Sequence, residues 1–255
     1  MERKSGEFKP HLQRPTLEAA VSCDACLVRS QALCGKFNEE ELAALSRIAR
    51  RKRLIAGQQL SLDDEEPEYF GILLSGSVKL TKVLPDGRQQ IVALHFPSDF
   101  IGRPFEPSGG CRAEAATDVV LCSFAKAPFE RLTRQYPGIQ HHLFRSALVQ
   151  LTAAQDWMLL LGRKTAREKV VSLFLLIANR LCETGCAHRK PGNRIEFALP
   201  LSRSDIADYL GLTLETVSRQ LRILKSEHLI SLNGARGVAL LDADRMRASL
   251  SQPTA

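Results

Sequence analysis

The stretch from Ser202 to Lys225 constrains the fold more than any other part of this sequence. Gly211 divides it, and Thr213 offers an N-cap hydroxyl for a helix that begins at Leu214. Apolar residues recur on both sides at roughly three- to four-residue intervals, the spacing of two short helices. They are Ile206, Ala207, Leu210, Leu212, Val217, Leu221 and Leu224. The pattern predicts a helix-turn-helix, which commonly places its second helix in the major groove of DNA.

Polar side chains near the start of the second helix lie where a recognition helix reaches base edges. Arg219 can make a bidentate pair with guanine, and Glu215 can accept a hydrogen bond from cytosine. On an ordinary helix the same two residues, four positions apart, would be interpreted as a surface ion pair. The candidate DNA contacts are Glu215, Thr216, Ser218, Arg219 and Arg222.

The residues after this helix favour DNA binding. Glu227–Leu241 reads as two short strands around an Asn233-Gly234 turn, which is a wing placed directly after the second helix. The whole chain carries 35 Lys and Arg against 28 Asp and Glu, and this basic excess suits a polyanionic partner. The sequence therefore predicts a winged helix-turn-helix that binds double-stranded DNA.

Apolar stretches in this chain are short. None approaches the roughly 18 residues needed to cross a bilayer, and the charged N-terminus is not followed by the apolar core of a signal peptide. We therefore expect a cytoplasmic protein without a membrane partner. Because the cytosol keeps thiols reduced and seven is an odd number, the seven cysteines are not expected to form disulfides. Clustered thiols in such a chain are instead expected to hold metal.

Three cysteines lie close together near the N-terminus, as Cys23-x2-Cys26-x7-Cys34. Thiolates in such a group select zinc or an iron–sulfur cluster, and either centre needs a fourth ligand. A structural zinc site usually has two paired knuckles. The second pair is missing here, which favours a cluster over zinc. From the residues alone the candidates for the fourth ligand are Cys111, Cys122 and, less plausibly, Cys182 or Cys186.

The next part of the chain changes from helical to strand patterns. Glu39–Arg51 is predicted as a short amphipathic helix, after an irregular stretch over residues 1–22. From Leu54 to about Ala125, short alternating segments and glycines predict a small β-roll. Its expected strands include Ser77–Val83, Gln90–Phe96 and Asp118–Phe124, with a turn at Pro85–Arg88 between the first two.

A long helix is predicted over Pro137–Leu161, with Pro137 at its first position and Gly162 after its end. Six apolar residues on it follow a 3-4-3-4-3 spacing, which is a heptad seam typical of paired helices. The alternative is a helix packed on its own β-roll. A two-fold dimer is what a helix-turn-helix needs to read paired half-sites. The seam residues are Phe144, Ala147, Leu151, Ala154, Met158 and Leu161.

Thr165 and Glu168 predict a capping box that opens another helix, and Glu183–Arg194 reads as a polar loop. The expected fold class is α+β, with an N-terminal β-roll, a long dimerisation helix and a C-terminal winged helix-turn-helix. The predicted boundaries are 1–38 for a cluster-binding segment, 39–136 for the roll, 137–162 for the dimerisation helix, 163–242 for the DNA-binding domain and 243–255 for a tail.

This order of parts resembles the CRP/FNR regulators over roughly residues 20 to 242. The resemblance implies that the β-roll is a sensor domain of the cyclic-nucleotide-binding type. Within that superfamily it is most similar to the oxygen-sensing FNR branch, in its variant with a C-x2-C-x7-C motif. The matching stretches are the three N-terminal cysteines, the turn Pro85–Gln90, Cys122 before Phe124, and Asp205–Arg219 with its Glu-x-x-Ser-Arg motif.

The resemblance implies a [4Fe–4S] cluster on Cys23, Cys26, Cys34 and Cys122. In the family, the anaerobic cluster favours a DNA-binding dimer, and oxygen degrades the cluster. A regulator of anaerobic or microaerobic genes is therefore expected.

The resemblance also implies partners. Glu215, Ser218 and Arg219 would read palindromic sites with TTGAT-like halves, and the turn at Asp86 and Gly87 would contact RNA polymerase. The stretch Phe100–Glu106 departs from the Gly-Glu phosphate cassette of cyclic-nucleotide binders, so cyclic nucleotide is not expected as a ligand.

Two other classes remain as alternatives. A regulator of the same fold could hold a structural zinc or sense redox state through free thiols. A metalloenzyme could use the β-roll cavity, but its histidines lie in scattered contexts and no His pair or carboxylate pair has ligand spacing. We therefore do not expect an enzyme.

Overall fold

The computed structural model describes residues 17–20, 23, 25–61, 68–105, 110–234 and 236–250. The remaining parts of the predicted N-terminal segment and of the predicted tail lie outside these residues. Among the described residues, Leu17–Ala20 forms strand β1, which pairs antiparallel with the next strand. The prediction of an irregular stretch is therefore wrong for these four residues.

The first helix, α1 (Glu39–Ile48), begins with a capping box between Asn38 and Glu41. It is shorter than predicted, because the chain enters strand β2 at Ala49. Strand β2 (Ala49–Leu54) therefore includes the last three residues of the predicted helix, Ala49–Arg51. All six of its residues pair with a later strand, and this pairing decides their conformation.

Two antiparallel sheets form the predicted β-roll. Their strands, after β1, are β2 (Ala49–Leu54), β3 (Gln59–Ser61), β4 (Tyr69–Ser75), β5 (Val78–Val83), β6 (Gln89–His95), β7 (Phe100–Ile101), β8 (Arg112–Ala115) and β9 (Val119–Ala125). One sheet has the order β1-β2-β9-β4-β7 and the other has the order β3-β8-β5-β6. The β5–β6 hairpin carries the predicted turn, with Gly87 at φ 85°.

Helix α2 (Lys126–Gln135) closes one end of the roll. Its Phe129 is 1% exposed and packs against Phe70, Phe100 and Phe124, with ring centroids 5.5, 5.6 and 5.3 Å away. Aromatic pairs at these separations stabilise the fold beyond the effect of the apolar area that they bury. This cluster joins the roll to the helical half of the molecule.

The long helix α3 (Pro137–Arg163) is confirmed, with Pro137 in its first turn. It continues through Gly162, because a glycine without a competing turn is tolerated in a helix. Only Ile139 and Leu160 are buried on it. Phe144, Leu151 and Met158 are 62%, 55% and 69% exposed, so most of the seam does not pack on the chain's own roll.

The remaining seam residues differ in their surroundings. Ala147 is exposed and Ala154 is half-buried. Leu161 is half-buried against the core of the C-terminal domain of its own chain. Leu161 was predicted as a seam residue like the other five, and the structure gives it a second role in joining α3 to the following domain.

Helix α4 (Ala166–Glu183) begins with the predicted capping box. The Thr165 amide and hydroxyl both lie 2.7 Å from Glu168 Oε2. These hydrogen bonds lower the pKa of Glu168. Because the pKa is lowered in the folded chain, the stabilisation is present at neutral pH and is lost as the pH falls through the folded value.

We expect Thr165→Ala to lower the free energy of unfolding by about 1 kcal/mol, because one N-cap hydrogen bond is lost. Thr165→Ser keeps a capping hydroxyl and should retain most of that stability. Urea unfolding followed by circular dichroism measures both variants. An equal loss in the two would show that the methyl group of Thr165, rather than its hydroxyl, stabilises the helix start.

The C-terminal domain contains a four-stranded antiparallel sheet of order β10-β11-β13-β12. Two predictions are wrong here. The polar loop contains β10, and the predicted tail contains α7, which buries Ala243 and Met246. The elements are β10 (His188–Lys190), β11 (Arg194–Ala198), α5 (Arg203–Leu210), α6 (Leu214–Ser226), β12 (Ile230–Asn233), β13 (Gly237–Leu240) and α7 (Ala243–Ala248). In the described residues, no helix combines the length and apolar character needed to span a membrane.

Candidate functional site

Four of the seven thiols come together in one apolar cluster. Cys34 lies in a short 3-10 turn (Leu33–Lys36), and Cys122 lies in the middle of β9. These two are buried, and Cys23 and Cys26 are half-buried against the same cluster. The structure therefore unites the N-terminal motif with Cys122, the residue that the family resemblance implies.

The thiols influence one another electrostatically. Burial, followed by the charges that Cys26 and Cys23 carry as thiolates, raises the pKa of Cys34 to about 11. Burial and the charges of Cys23, Cys34 and Cys26 raise the pKa of Cys122 to about 12, and Arg51 opposes this rise. Without a metal these two thiols are protonated at neutral pH. A cationic centre that binds them must displace their protons.

Two features of the backbone place the thiols. The amide of Arg29 donates to the Cys26 carbonyl at 3.2 Å, which turns the loop back on itself. At Gly35, an added Cβ would lie 2.1 Å from the backbone oxygen of Arg29, so only glycine allows this close approach beside Cys34. Cys122 sits opposite Arg51 of β2 and Ile72 of β4, in the centre of the sheet.

The other thiols lie elsewhere. Cys111 borders a cavity of about 530 Å³ between the roll and α3, together with Phe100, Phe105 and Phe144. Cys182 packs against the core of the C-terminal domain, and Cys186 is exposed in the turn after α4. Of the candidates for a fourth ligand, only Cys122 shares a cluster with the N-terminal motif.

The donor set fits a soft centre. Four thiols in a mostly apolar, half-buried setting are the ligands that zinc and iron–sulfur clusters prefer. Across the part of the chain that the structure describes, no three His, Cys, Asp or Glu side chains are grouped around a point that could hold one metal ion. In a four-iron cluster each thiolate binds a different iron, so the ligands need not converge on one point.

The cysteine loop packs on the start of the long helix. Phe37, just after the 3-10 turn, lies 6.0 Å from the His142 ring of α3. A Cβ on Gly138 would lie 2.1 Å from Glu41 Oε1, while Glu41 Oε2 accepts a hydrogen bond from the Asn38 amide at 3.0 Å. The segment from Cys34 to Glu41 is therefore in direct contact with α3. Sequence periodicity could not identify this contact, because it joins residues far apart in the chain.

The recognition surface forms as predicted at α6. Val217, Leu221 and Leu224 face the core and are buried. Glu215 and Arg219 are exposed. No salt bridge joins these two among the ion pairs of the described residues, so the surface ion pair considered as an alternative does not form. Arg222 is exposed as well.

Two of the predicted contacts are less accessible than expected. Thr216 and Ser218 are half-buried. The hydroxyl of Thr213 accepts from the Thr216 amide at 3.1 Å and lies 2.9 Å from its hydroxyl, so Thr216 helps to cap the helix. The turn before α6 depends on Gly211, whose φ of 59° is a left-handed conformation that favours glycine.

The wing and the hairpin also match their predictions. Strands β12 and β13 pair as the predicted wing, and Gly234 in its turn has φ 62°. At the tip of the β5–β6 hairpin, Asp86 accepts from the Arg88 amide at 3.0 Å, and its other carboxylate oxygen lies 2.8 Å from Arg88 Nε. The hairpin therefore presents a defined, exposed turn.

These features define a class: a DNA-binding protein in which a winged helix-turn-helix follows a β-roll of the cyclic-nucleotide-binding type and a long helix. Residues 51–136 match the family model described as a cyclic nucleotide-binding domain, and residues 168–249 match the Crp-like helix-turn-helix domain. The chain belongs to the CRP/FNR family of transcription regulators.

Relatives agree over most of their length. The transcriptional activator protein FnrL of Cereibacter sphaeroides is 41% identical over 224 residues, 88% of this chain and 90% of that protein. The nitrogen fixation regulation protein FixK of Bradyrhizobium diazoefficiens is 37% identical over 227 residues, 89% and 92% of the two chains. The solved structure of FixK2 from Bradyrhizobium japonicum superposes with a TM-score of 0.71 at 35% identity, covering 82% of this chain and 100% of that one.

Proposed function

We propose that this transcription regulator responds to oxygen through a [4Fe–4S] cluster held by Cys23, Cys26, Cys34 and Cys122. The observation that carries the proposal is the meeting of these four thiols in one apolar cluster, away from the other three. Such a cluster supplies a centre that oxygen degrades, which converts oxygen exposure into loss of a structural crosslink. The similarity to the transcriptional activator protein FnrL supports the role in activating transcription.

The chain's own contacts give the route from the thiols to DNA. Cys34 lies in the 3-10 turn, and Phe37 just after that turn contacts His142 at the start of α3, so a cluster held by Cys34 would act close to this helix. Helix α3 presents an apolar seam that is more than half exposed at Phe144, Leu151 and Met158. We infer that a second copy covers this seam, and that the loop biases how two copies of α6 are held.

The recognition helices of such a dimer would read a palindrome with TTGAT-like halves, with Arg219 and Glu215 at base edges. The exposed turn at Asp86 and Gly87 would contact RNA polymerase when the dimer activates transcription. The target genes in this proposal are those used with little or no oxygen. Cyclic nucleotide is not part of it.

Iron and sulfide analysis without air tests the ligand set. We expect wild-type protein to be brown, to hold about four irons per chain and to bleach in air. Cys122→Ser should lose the iron and sulfide, because one of four thiolates is removed. Cys111→Ser is the matched control, since its thiol borders the cavity instead, and it should keep the wild-type content.

Three results would contradict the proposal in different ways. A colourless protein with stoichiometric zinc would favour a structural zinc site in the same fold. A protein without metal whose DNA binding follows the oxidation of its thiols would favour redox sensing. Loss of iron in Cys111→Ser alone would overturn the choice of fourth ligand and leave the fold and DNA binding unaffected.

A further inference from the structure

The β-roll contacts α5, the first helix of the helix-turn-helix, through charged side chains. Lys79 of β5 lies 2.7 Å from Asp205 Oδ1 of α5 and 3.0 Å from Glu114 Oε1 of β8. The three side chains are 15%, 18% and 27% exposed, so this is a partly buried group with one cation between two carboxylates. We propose that Lys79 is a positioning residue for DNA recognition, which holds α5 on the roll and thereby sets the direction of α6.

Asp205 connects this contact to the helix itself. Its Oδ2 accepts from the Ser202 amide at 2.9 Å and from the Ser202 hydroxyl at 2.6 Å, in the capping box that begins α5. Burial disfavours the charged form of Asp205, but the hydrogen bonds from Lys79 and Ser202 outweigh it and lower its pKa. One carboxylate therefore caps α5 and anchors it to the roll.

Residues of the neighbouring strand β6 add further hydrogen bonds between the roll and α5. Gln89 Nε2 lies 2.6 Å from Asp208 Oδ2, and Gln90 Nε2 donates to the Tyr209 carbonyl at 2.9 Å. Ile91, the next residue, is 1% exposed in the same core as α5 and α6. The polar contacts between the roll and α5 thus lie beside the buried apolar side chain of Ile91.

The long helix meets α5 at the same place. Trp157 of α3 lies with its ring 3.8 Å from that of Tyr209, whose carbonyl Gln90 binds. Tyr209 is therefore held between the roll and the helix that carries the proposed dimer seam. The wing approaches the roll too, because Arg236 donates to the Ala116 carbonyl at 3.3 Å.

This arrangement has a consequence for DNA affinity. Helix α5 faces the roll, and Glu215, Arg219 and Arg222 of α6 remain exposed. In this proposal, the contact fixes the direction of the recognition helix before DNA binds. If the contact is lost, the helix-turn-helix adopts this position in only a fraction of the molecules. The apparent affinity for DNA is then the affinity of the competent arrangement multiplied by that fraction. Lys79 therefore contributes to recognition without touching DNA.

The test compares full-length Lys79→Met, Lys79→Arg and Lys82→Met proteins, prepared without air and checked for equal iron content. Lys82→Met removes the same charge from an exposed position on the same strand. Fluorescence anisotropy gives the affinity for a palindromic operator and for random duplex over a range of salt concentrations. Limited proteolysis near Lys164 reports whether the C-terminal domain has loosened.

We expect Lys79→Met to bind the operator about tenfold more weakly, a coupling of ordinary size between two sites. Its salt dependence should be unchanged, since no phosphate contact is lost, and cleavage near Lys164 should be faster. Lys79→Arg should restore most of the affinity, and Lys82→Met should resemble wild type. If Lys79→Met does not fold, Gln90→Ala is tested in its place, and we again expect weaker operator binding and faster cleavage near Lys164.

Wild-type affinity and proteolysis in Lys79→Met, or in Gln90→Ala where that variant decides, would overturn the proposal. So would a reduced salt dependence with an equal loss in Lys82→Met, because that result indicates a general charge effect on DNA attraction. The inference requires DNA binding and not the cluster. A protein that holds no iron therefore leaves this test valid.

Discussion

Replacing Arg219 with alanine is expected to cost about 1–3 kcal/mol at each half-site, or about 2–6 kcal/mol for a dimer on a palindrome. Arg219 is exposed on α6, between one and two turns after the Thr213 cap, where a recognition helix reaches base edges. A guanidinium there can donate two hydrogen bonds to one guanine. Anisotropy titrations of the variant with operator duplex measure the loss.

The pattern of the loss separates a base contact from a phosphate contact. Arg219→Ala should also relax the preference for the contacted base pair, with little change in the salt dependence. Lys225→Ala, at the far end of the same helix, is the matched control and should weaken operator and random DNA similarly, if at all. An equal loss on both duplexes for Arg219→Ala would mean that this side chain binds the backbone only.

The second large effect is expected at the seam of α3. Leu151→Glu should convert the protein to a monomer at micromolar concentration, because each copy would bring an unpaired carboxylate into an apolar interface. An uncompensated buried charge costs about 3–5 kcal/mol, or roughly 100- to 5,000-fold in the dimer dissociation constant. Sedimentation equilibrium of the variant and of wild type measures the change directly.

Val149 provides the control for this change. It is 70% exposed, more than Leu151 at 55%, yet it lies outside the heptad seam. Val149→Glu should leave the dimer intact. Dissociation by Val149→Glu and not by Leu151→Glu would place the interface on another face of α3. A wild-type monomer on operator DNA would reject the paired arrangement altogether.

Local patterns account for most of the correct predictions. The spacing of apolar residues in α5 and α6, the hydroxyls of Thr165 and Thr213, and the left-handed Gly211 act within a few residues of one another. Helix formation and capping depend on such near neighbours, so the sequence determines them directly. The alternating strands of the roll and the turn at Gly87 are local in the same sense.

The wrong secondary-structure predictions lie where contact with an element distant in the chain determines the conformation. Ala49–Leu54 is a strand because β9 pairs with it, although the predicted helix extended to Arg51. Residues 243–248 form a helix because Ala243 and Met246 are buried in the C-terminal core, which supplies stability that so short a helix lacks alone. In both places burial or pairing against a remote element outweighs local preference.

The sequence by itself determined the helix-turn-helix, the wing, the roll, the heptad spacing and the three-cysteine motif, because each is expressed by residues near one another in the chain. The spacing of residues left four candidates for a fourth ligand and the family resemblance implied Cys122, but only the tertiary structure places Cys122 in one cluster with that motif. It also decided that Lys79 holds Asp205 across two domains. Both depend on how distant strands and helices pack, and no spacing along the chain encodes a distance of that kind.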